Sequence, residues 1–218
     1  MTTPFDRALS AIDAAHALDP NTKIIGATSL PYELHYAQKC TSYLHQLSPS
    51  PSPALSLAIR AQHFRRWEIP RSSYPMTRPG YHAWRTYLKN RQADLVREIL
   101  DDVYAGHFPT ASEHTAFVER VSALMRKEGL REGDEEVAVL EDVACLVFLE
   151  DQFEGWVAMW EGGTREDGGE GVRLEEEKVV GILRRTWGKM SEKGREVARG
   201  LVVQGRAGEV LGRALAGE

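Results

Sequence analysis

The chain has 218 residues, of which 42% are hydrophobic and 27% charged, and its formal net charge is -5. That is the composition of a folded globule long enough for one domain with a sizeable core. A negative balance excludes attraction of the whole surface to nucleic acid or acidic membranes but leaves room for a local basic site. Cys40 and Cys145 are the two cysteines. Both lie in apolar helical patterns with no CxxC spacing, so we expect free buried thiols in a reducing compartment, without a disulfide framework or structural zinc. The first twenty residues lack the basic-then-apolar layout of a signal peptide, and no apolar run reaches spanning length. The expected location is cytoplasmic, with no membrane contact.

Helical periodicity dominates and strand alternation is weak throughout. The first helix is expected over Pro4–Leu18, ended by Asp19, Pro20 and Asn21. Residues 22–31 read as a linker, followed by a helix from Tyr32 to Leu47. Pro53 stands where a third helix tolerates proline, and that helix is expected to continue to Trp67. Pro70, Pro75 and Pro79 stiffen Glu68–Gly80 into an extended loop. Further helices are expected from Tyr81 to Tyr104, from Thr110 or Ser112 to Glu128, and from Gly133 to Trp160. Residues 161–173, rich in glycine and charge, read as a flexible surface loop. Helices over Leu174–Met190 and Ser191–Ala216 complete an all-α, single-domain bundle of seven or eight helices spanning 1–218.

The informative stretch is Arg60–Arg91. It gathers Arg60, Arg65, Arg66, Arg71, Arg78, Arg85, Lys89 and Arg91 around one acid, Glu68, and interleaves Phe64, Trp67, Tyr74, Tyr81, Trp84 and Tyr87. Guanidinium groups hold phosphate or carboxylate oxygens in a bidentate way, and aromatic faces stack on a base or beneath a guanidinium. Tyr81 and Arg85 share a helical face at i and i+4. We therefore read Arg66, Trp67, Arg71, Tyr74, Arg78, Tyr81, Trp84 and Arg85 as a candidate pocket for an anionic, nucleotide-like ligand. The alternative is structural: these arginines pair with acidic helix starts such as Glu135–Glu136 and Glu175–Glu177, and the aromatics anchor the core.

Within the apolar run Val137–Leu149, Glu141 and Asp142 are carboxylates that need a partner if buried. The candidates are an arginine of the basic stretch, His63 or a metal. His63 is expected on the helix that ends at Trp67. With Glu141, Asp142 and Glu33 it is a candidate ligand for Mn, Fe, Zn or Mg. His35 is a further candidate, weighed against a surface role. No Walker loop, GxSxG elbow, HExxH or GxGxxG pattern is present.

The string from Gln62 to Arg85, with Gln62, His63, Arg66, Trp67, Pro70, Arg71, Tyr74, Pro75, Arg78, Gly80, Tyr81, Trp84 and Arg85, resembles the family called domain of unknown function 4202. Leu140–Val143, Leu146 and Phe148–Glu150 match a second motif of that family. The resemblance runs from about Phe5 to Ala216 and implies an α-helical fold; it brings no reaction with it. The layout of Glu33 or His35, His63 and Asp142 is also similar to the helical His-Asp phosphohydrolases, except that Phe64 stands where their aspartate follows the histidine.

Three functions are carried forward. The first is a metal-dependent hydrolase of a small phosphorylated substrate, with His63, Glu141 and Asp142 catalytic and the arginines holding the anion. The second is a non-catalytic module that binds an anionic metabolite, a nucleotide or an RNA end. The third is a helical protein-interaction domain.

Overall fold

The computed structural model describes residues 2–160 and 176–216, so the expected flexible loop at 161–173 lies outside the described residues. The fold is all-α with one small hairpin. In chain order come α1 (Pro4–His16), the antiparallel strands β1 (Thr22–Ile25) and β2 (Thr28–Pro31), α2 (Tyr32–Leu47), α3 (Pro53–Arg60) and α4 (Arg78–Val103). Then follow α5 (Ala111–Arg126), α6 (Glu135–Val147), α7 (Phe153–Trp160), α8 (Glu176–Lys189), α9 (Glu192–Arg199) and α10 (Gly205–Leu215). Residues 148–152 join α6 to α7 as a π-helical turn. Among the described residues, no helix is long and apolar enough to cross a membrane.

The chain divides into two compact units, Met1–Leu140 and Glu141–Glu218. In the first, α5 packs on α3 and α4, and α1 packs on α2, α3 and α4. Its core is built by Ile12, Leu44, Leu55, Leu57, Ile59, Phe64, Leu100, Leu124 and Leu140, all essentially without solvent contact. The helix starts are set by local chemistry. Thr3 and Thr110 form capping boxes with Asp6 and Glu113, while Ser52 and Thr77 cap α3 and α4. Each supplies an oxygen to a backbone N–H that the helix itself leaves unpaired. α2 begins after Pro31 without a cap of its own, and Asp19 from the end of α1 accepts the Glu33 N–H instead at 3.0 Å.

In the second unit α10 packs on α7 and α8 around Leu146, Phe153, Val179, Leu183 and Val210. Cys40 and Cys145 are buried and take part in no disulfide among the described residues, one in each unit.

Four local expectations change. Residues 22–31 form the hairpin rather than a linker, turning through Gly26 at φ +61°. α4 starts at Arg78, because Thr77 caps it and Pro79 is tolerated in a first turn. The single helix expected over Ser191–Ala216 breaks into α9 and α10: Gly205 adopts φ +59°, and a Cβ at Gly208 would lie 2.3 Å from the Val203 carbonyl oxygen. The fourth change concerns the candidate site. α3 stops at Arg60, and His63 and Arg65 take left-handed φ values of +63° and +49°.

Candidate functional site

The helix ends before His63 because its backbone is pulled elsewhere. The Glu33 carboxylate, 3% exposed, accepts the N–H groups of Arg65 at 2.9 Å and Trp67 at 3.1 Å. It also meets His16 Nδ1 at 3.3 Å, while His16 Nε2 lies 2.9 Å from the Arg60 carbonyl. Left-handed residues other than glycine cost about 1–3 kcal/mol each and persist only where the surroundings hold them. Here one carboxylate with its histidine holds the loop from both sides. Phe64 is driven into the core beneath it, edge-on to His16.

The loop sorts the cations of the basic stretch into two sets. Arg60 is bidentate on Asp13, and Glu68 pairs with both Arg65 and Arg91. Burial alone would raise Glu68, but those two guanidinium groups hold its carboxyl below the usual range. Lys89 donates to the Arg126 carbonyl. Arg71 is turned onto its own loop, donating to the carbonyls of Tyr74, Pro75 and Thr77. Arg66, Arg78 and Arg85 are the remainder, and none of them forms an ion pair with a carboxylate among the described residues.

Arg66 and Arg85 belong to one group of side chains. Arg66 Nη1 lies 2.7 Å from His63 Nε2, and its guanidinium carbon sits 4.8 Å from the centre of the Trp84 ring. Trp84 is fixed by donating its Nε1–H to the Ile69 carbonyl at 2.9 Å. Arg71 approaches the rings of Trp84 and Tyr81, each at 5.9 Å, and Tyr81 leans on Trp84 at 6.0 Å. His63 is stacked on Tyr36 with ring centres 3.9 Å apart. His63, Arg66 and Arg85 are half-buried, and Tyr81 is exposed. Burial, and then the positive charge of Arg85, pushes the Arg66 guanidinium below its ordinary value. Burial, then Arg66, Arg85, Lys127 and His16, holds the His63 imidazole well below the ordinary histidine range. Burial likewise pushes the Tyr36 phenol well up.

The residues expected to bind the anion therefore divide. Contacts bring together Arg66, Arg71, Tyr81 and Trp84 with His63, and Arg85 is half-buried on the helix that carries Tyr81 and Trp84. Arg78 is exposed at the start of α4, and Tyr74 lies against Tyr87 at 6.1 Å. Trp67 sits half-buried in the loop, its Nε1–H without a hydrogen-bond partner, as is the amide nitrogen of Gln92.

The expected metal set does not match the donors present. The Glu33 oxygens are engaged by two backbone N–H groups and His16. A guanidinium has only donors, so at His63 the lone pair of Nε2 is the acceptor for Arg66. Asp142, 2% exposed, accepts the Ser191 N–H at 2.8 Å and the Ser191 hydroxyl, all within the second unit. Its carboxyl is raised by burial, against the lowering effect of Ser191, and Glu141 beside it raises it further. Among the described residues, no three His, Cys, Asp or Glu side chains cluster as a cation site requires. His63, Glu33 and Asp142 each have protein partners in the structure, and Glu141 has an interaction as well.

Sequence reasoning missed His16 and Tyr36. Both lie on apolar helix faces with no motif around them, and only the packing of α1, α2 and the loop gives them roles. His35, weighed as a surface residue, is 6% exposed. The acidic helix starts do find arginines, though not those of the basic stretch: Glu136 pairs with Arg120, and Glu176 with Arg206 and Arg213.

No curated protein and no solved structure matches the chain. One family model does, over residues 6–211, a span that takes in both compact units and every side chain of the cleft. The chain belongs to the family described as Domain of unknown function (DUF4202).

Proposed function

We propose that the first unit binds a small phosphorylated ligand with a planar organic part, in the manner of a nucleotide, in the cleft formed by His63, Arg66, Tyr81, Trp84 and Arg85. The observation that supports this reading is Arg66, half-buried against His63 and the Trp84 ring with no ion pair to a carboxylate among the described residues; Arg85 on α4, also without one, adds its positive charge to the field on Arg66. Paired cations are ordinarily neutralised, because a buried charge without a counter-charge is costly. A cleft that keeps two of them is complementary to an oxyanion, and two forks of donors suit phosphate oxygens. Tyr81, 43% exposed and leaning on the buried Trp84, supplies an aromatic surface on which a base can stack.

Binding, rather than hydrolysis, is the part of the chemistry these contacts support. The His63 lone pair that would hold a cation or accept a proton is already facing Arg66. Divalent metal, nucleotide and RNA enter as arms of the test. Metal-stripped protein is melted with nucleotides, sugar phosphates and short RNA, each with and without Mn or Mg. A ligand at a hundred times its dissociation constant stabilises by about 2.7 kcal/mol. The expected result is a shift with a phosphorylated small molecule that needs no metal and vanishes in Arg66→Met and Arg85→Met. A shift that requires metal would reinstate the metal-dependent hydrolase, and a shift that appears only with RNA would move the reading to an RNA-end binder. No shift with any of them would overturn the anion cleft.

A further inference from the structure

The cleft holds one group that anion binding alone does not use. His63 stands beside the cations, in a strained backbone conformation, its ring stacked on Tyr36. We infer that anion binding in this cleft is coupled to protonation of His63: the oxyanion draws the Arg66 guanidinium off Nε2, and a proton from solvent takes the vacated lone pair. The inference rests on the anion reading above and adds to it a pH-controlled affinity.

The geometry supplies the argument. Arg66 can only donate, so the 2.7 Å contact requires a neutral His63 with its proton on Nδ1. Arg66 meets the ring directly, and the positive charges of Arg85 on α4 and Lys127 after α5 act on it at longer range. Tyr36 covers it from α2, its phenol held protonated by burial. The nearby buried carboxylate, Glu33 on α2, is turned to His16 and to the Arg65 and Trp67 N–H groups. Burial and the adjoining guanidinium of Arg66 both disfavour an imidazolium here, so the ring's neutral form fits the contact. A dianion reverses both conditions: it offers Arg66 a better acceptor than an imidazole nitrogen, and it compensates the new charge. The proton adds to Nε2, and the resulting N–H can donate to the anion. By linkage the effect is reciprocal: the anion raises the affinity of His63 for its proton, and acid raises the affinity of the cleft for the anion.

Sulfate is the probe, because its charge does not change over the range from about pH 5 to pH 8 in which an imidazole titrates. Its affinity is measured by calorimetry across that range, and the nitrogen resonances of His63 are followed by NMR with and without sulfate. The expected result is binding that tightens as the pH falls, by up to about tenfold per pH unit within the titration window. The NMR signature is neutral Nδ1–H imidazole in the free protein and imidazolium in the complex. His63→Asn, a residue that tolerates the left-handed conformation at this position, should lose the pH slope. Sulfate binding of constant affinity with a neutral His63 in the complex would overturn the coupling and leave the anion cleft standing, as would a slope that persists in His63→Asn. Failure of sulfate to bind at any pH would overturn the cleft itself. Because the NMR arm reads the unmodified protein, the test stands even if the variant does not fold.

Discussion

Asp142 and Arg66 are both charged side chains taken largely out of water, and the protein treats them in opposite ways. Around Asp142 everything is matched. Ser191 caps α9 through its hydroxyl oxygen and donates both its N–H and its O–H to the carboxylate, while Gly194 leaves the room that makes the approach feasible: a Cβ there would lie 2.5 Å from the carboxyl carbon. Around Arg66 the local partners are an imidazole nitrogen and an indole face, no ion pair with a carboxylate forms among the described residues, and the positive charge of Arg85 works against the guanidinium. The first corner is a finished joint. The second is short of a negative charge. Burial by itself therefore does not mark a functional residue here; the sequence made both look like site candidates, and the difference lies in whether neighbours complete them.

The comparison can be broken most directly at the finished joint. Asp142→Ala strands the Ser191 N–H and hydroxyl, and should destabilise the protein by about 3 kcal/mol in denaturant unfolding, with no effect on sulfate affinity. Gly194→Ala should cost about 2 kcal/mol by overpacking against the same carboxyl. If either variant instead weakened anion binding, the separation of roles would fail. At the unfinished corner the pattern inverts. Arg66→Met should lower sulfate affinity by about 10- to 100-fold, the loss expected for one charged hydrogen-bonding group, while leaving unfolding stability equal or higher because an uncompensated buried cation is gone.

A smaller effect sharpens the same contrast through pH. His63 has its folded-state value well below the ordinary one near 6.5. The unfolded chain then binds the proton more readily than the fold, so stability is full above about pH 6.5 and declines as the pH falls from there toward the folded value. Asp142 is raised, so its contribution has the opposite sign and is lost as pH rises through its folded value. Thermal melts across pH should show the acid-side decline in the wild type and a flatter profile in His63→Asn. The smallest effect belongs to Arg78, exposed at the start of α4: Arg78→Ala should change stability by less than about 0.5 kcal/mol.

How much of this was legible beforehand varies with the range of the interaction. Thr110 announces a helix start because capping acts over three residues, and Pro53 marks another where a first turn tolerates proline. The basic, aromatic, proline-stiffened stretch announces that Arg60–Arg91 is special, since an acidic chain has concentrated its cations there. By contrast, nothing local tells Arg71 from Arg66. Both follow or precede aromatics and both sit in one loop, yet Arg71 closes on three carbonyls of its own segment while Arg66 reaches His63 and Trp84. Glu33 carries the same lesson: its position in a first helical turn suggests a dipole role or a metal ligand, and it instead holds the backbone of a loop more than thirty residues away.

The all-α class, most helix boundaries and the family were legible in the sequence alone. These depend on periodicity, on caps and on composition, all of which act between near neighbours in the chain. Only the tertiary structure decided which arginines are neutralised, that His63 is a left-handed loop residue facing a guanidinium, and that Asp142 belongs to a helix cap. Those outcomes depend on which charges meet across the fold, and charges compete for partners over a few ångströms of space regardless of their distance along the chain.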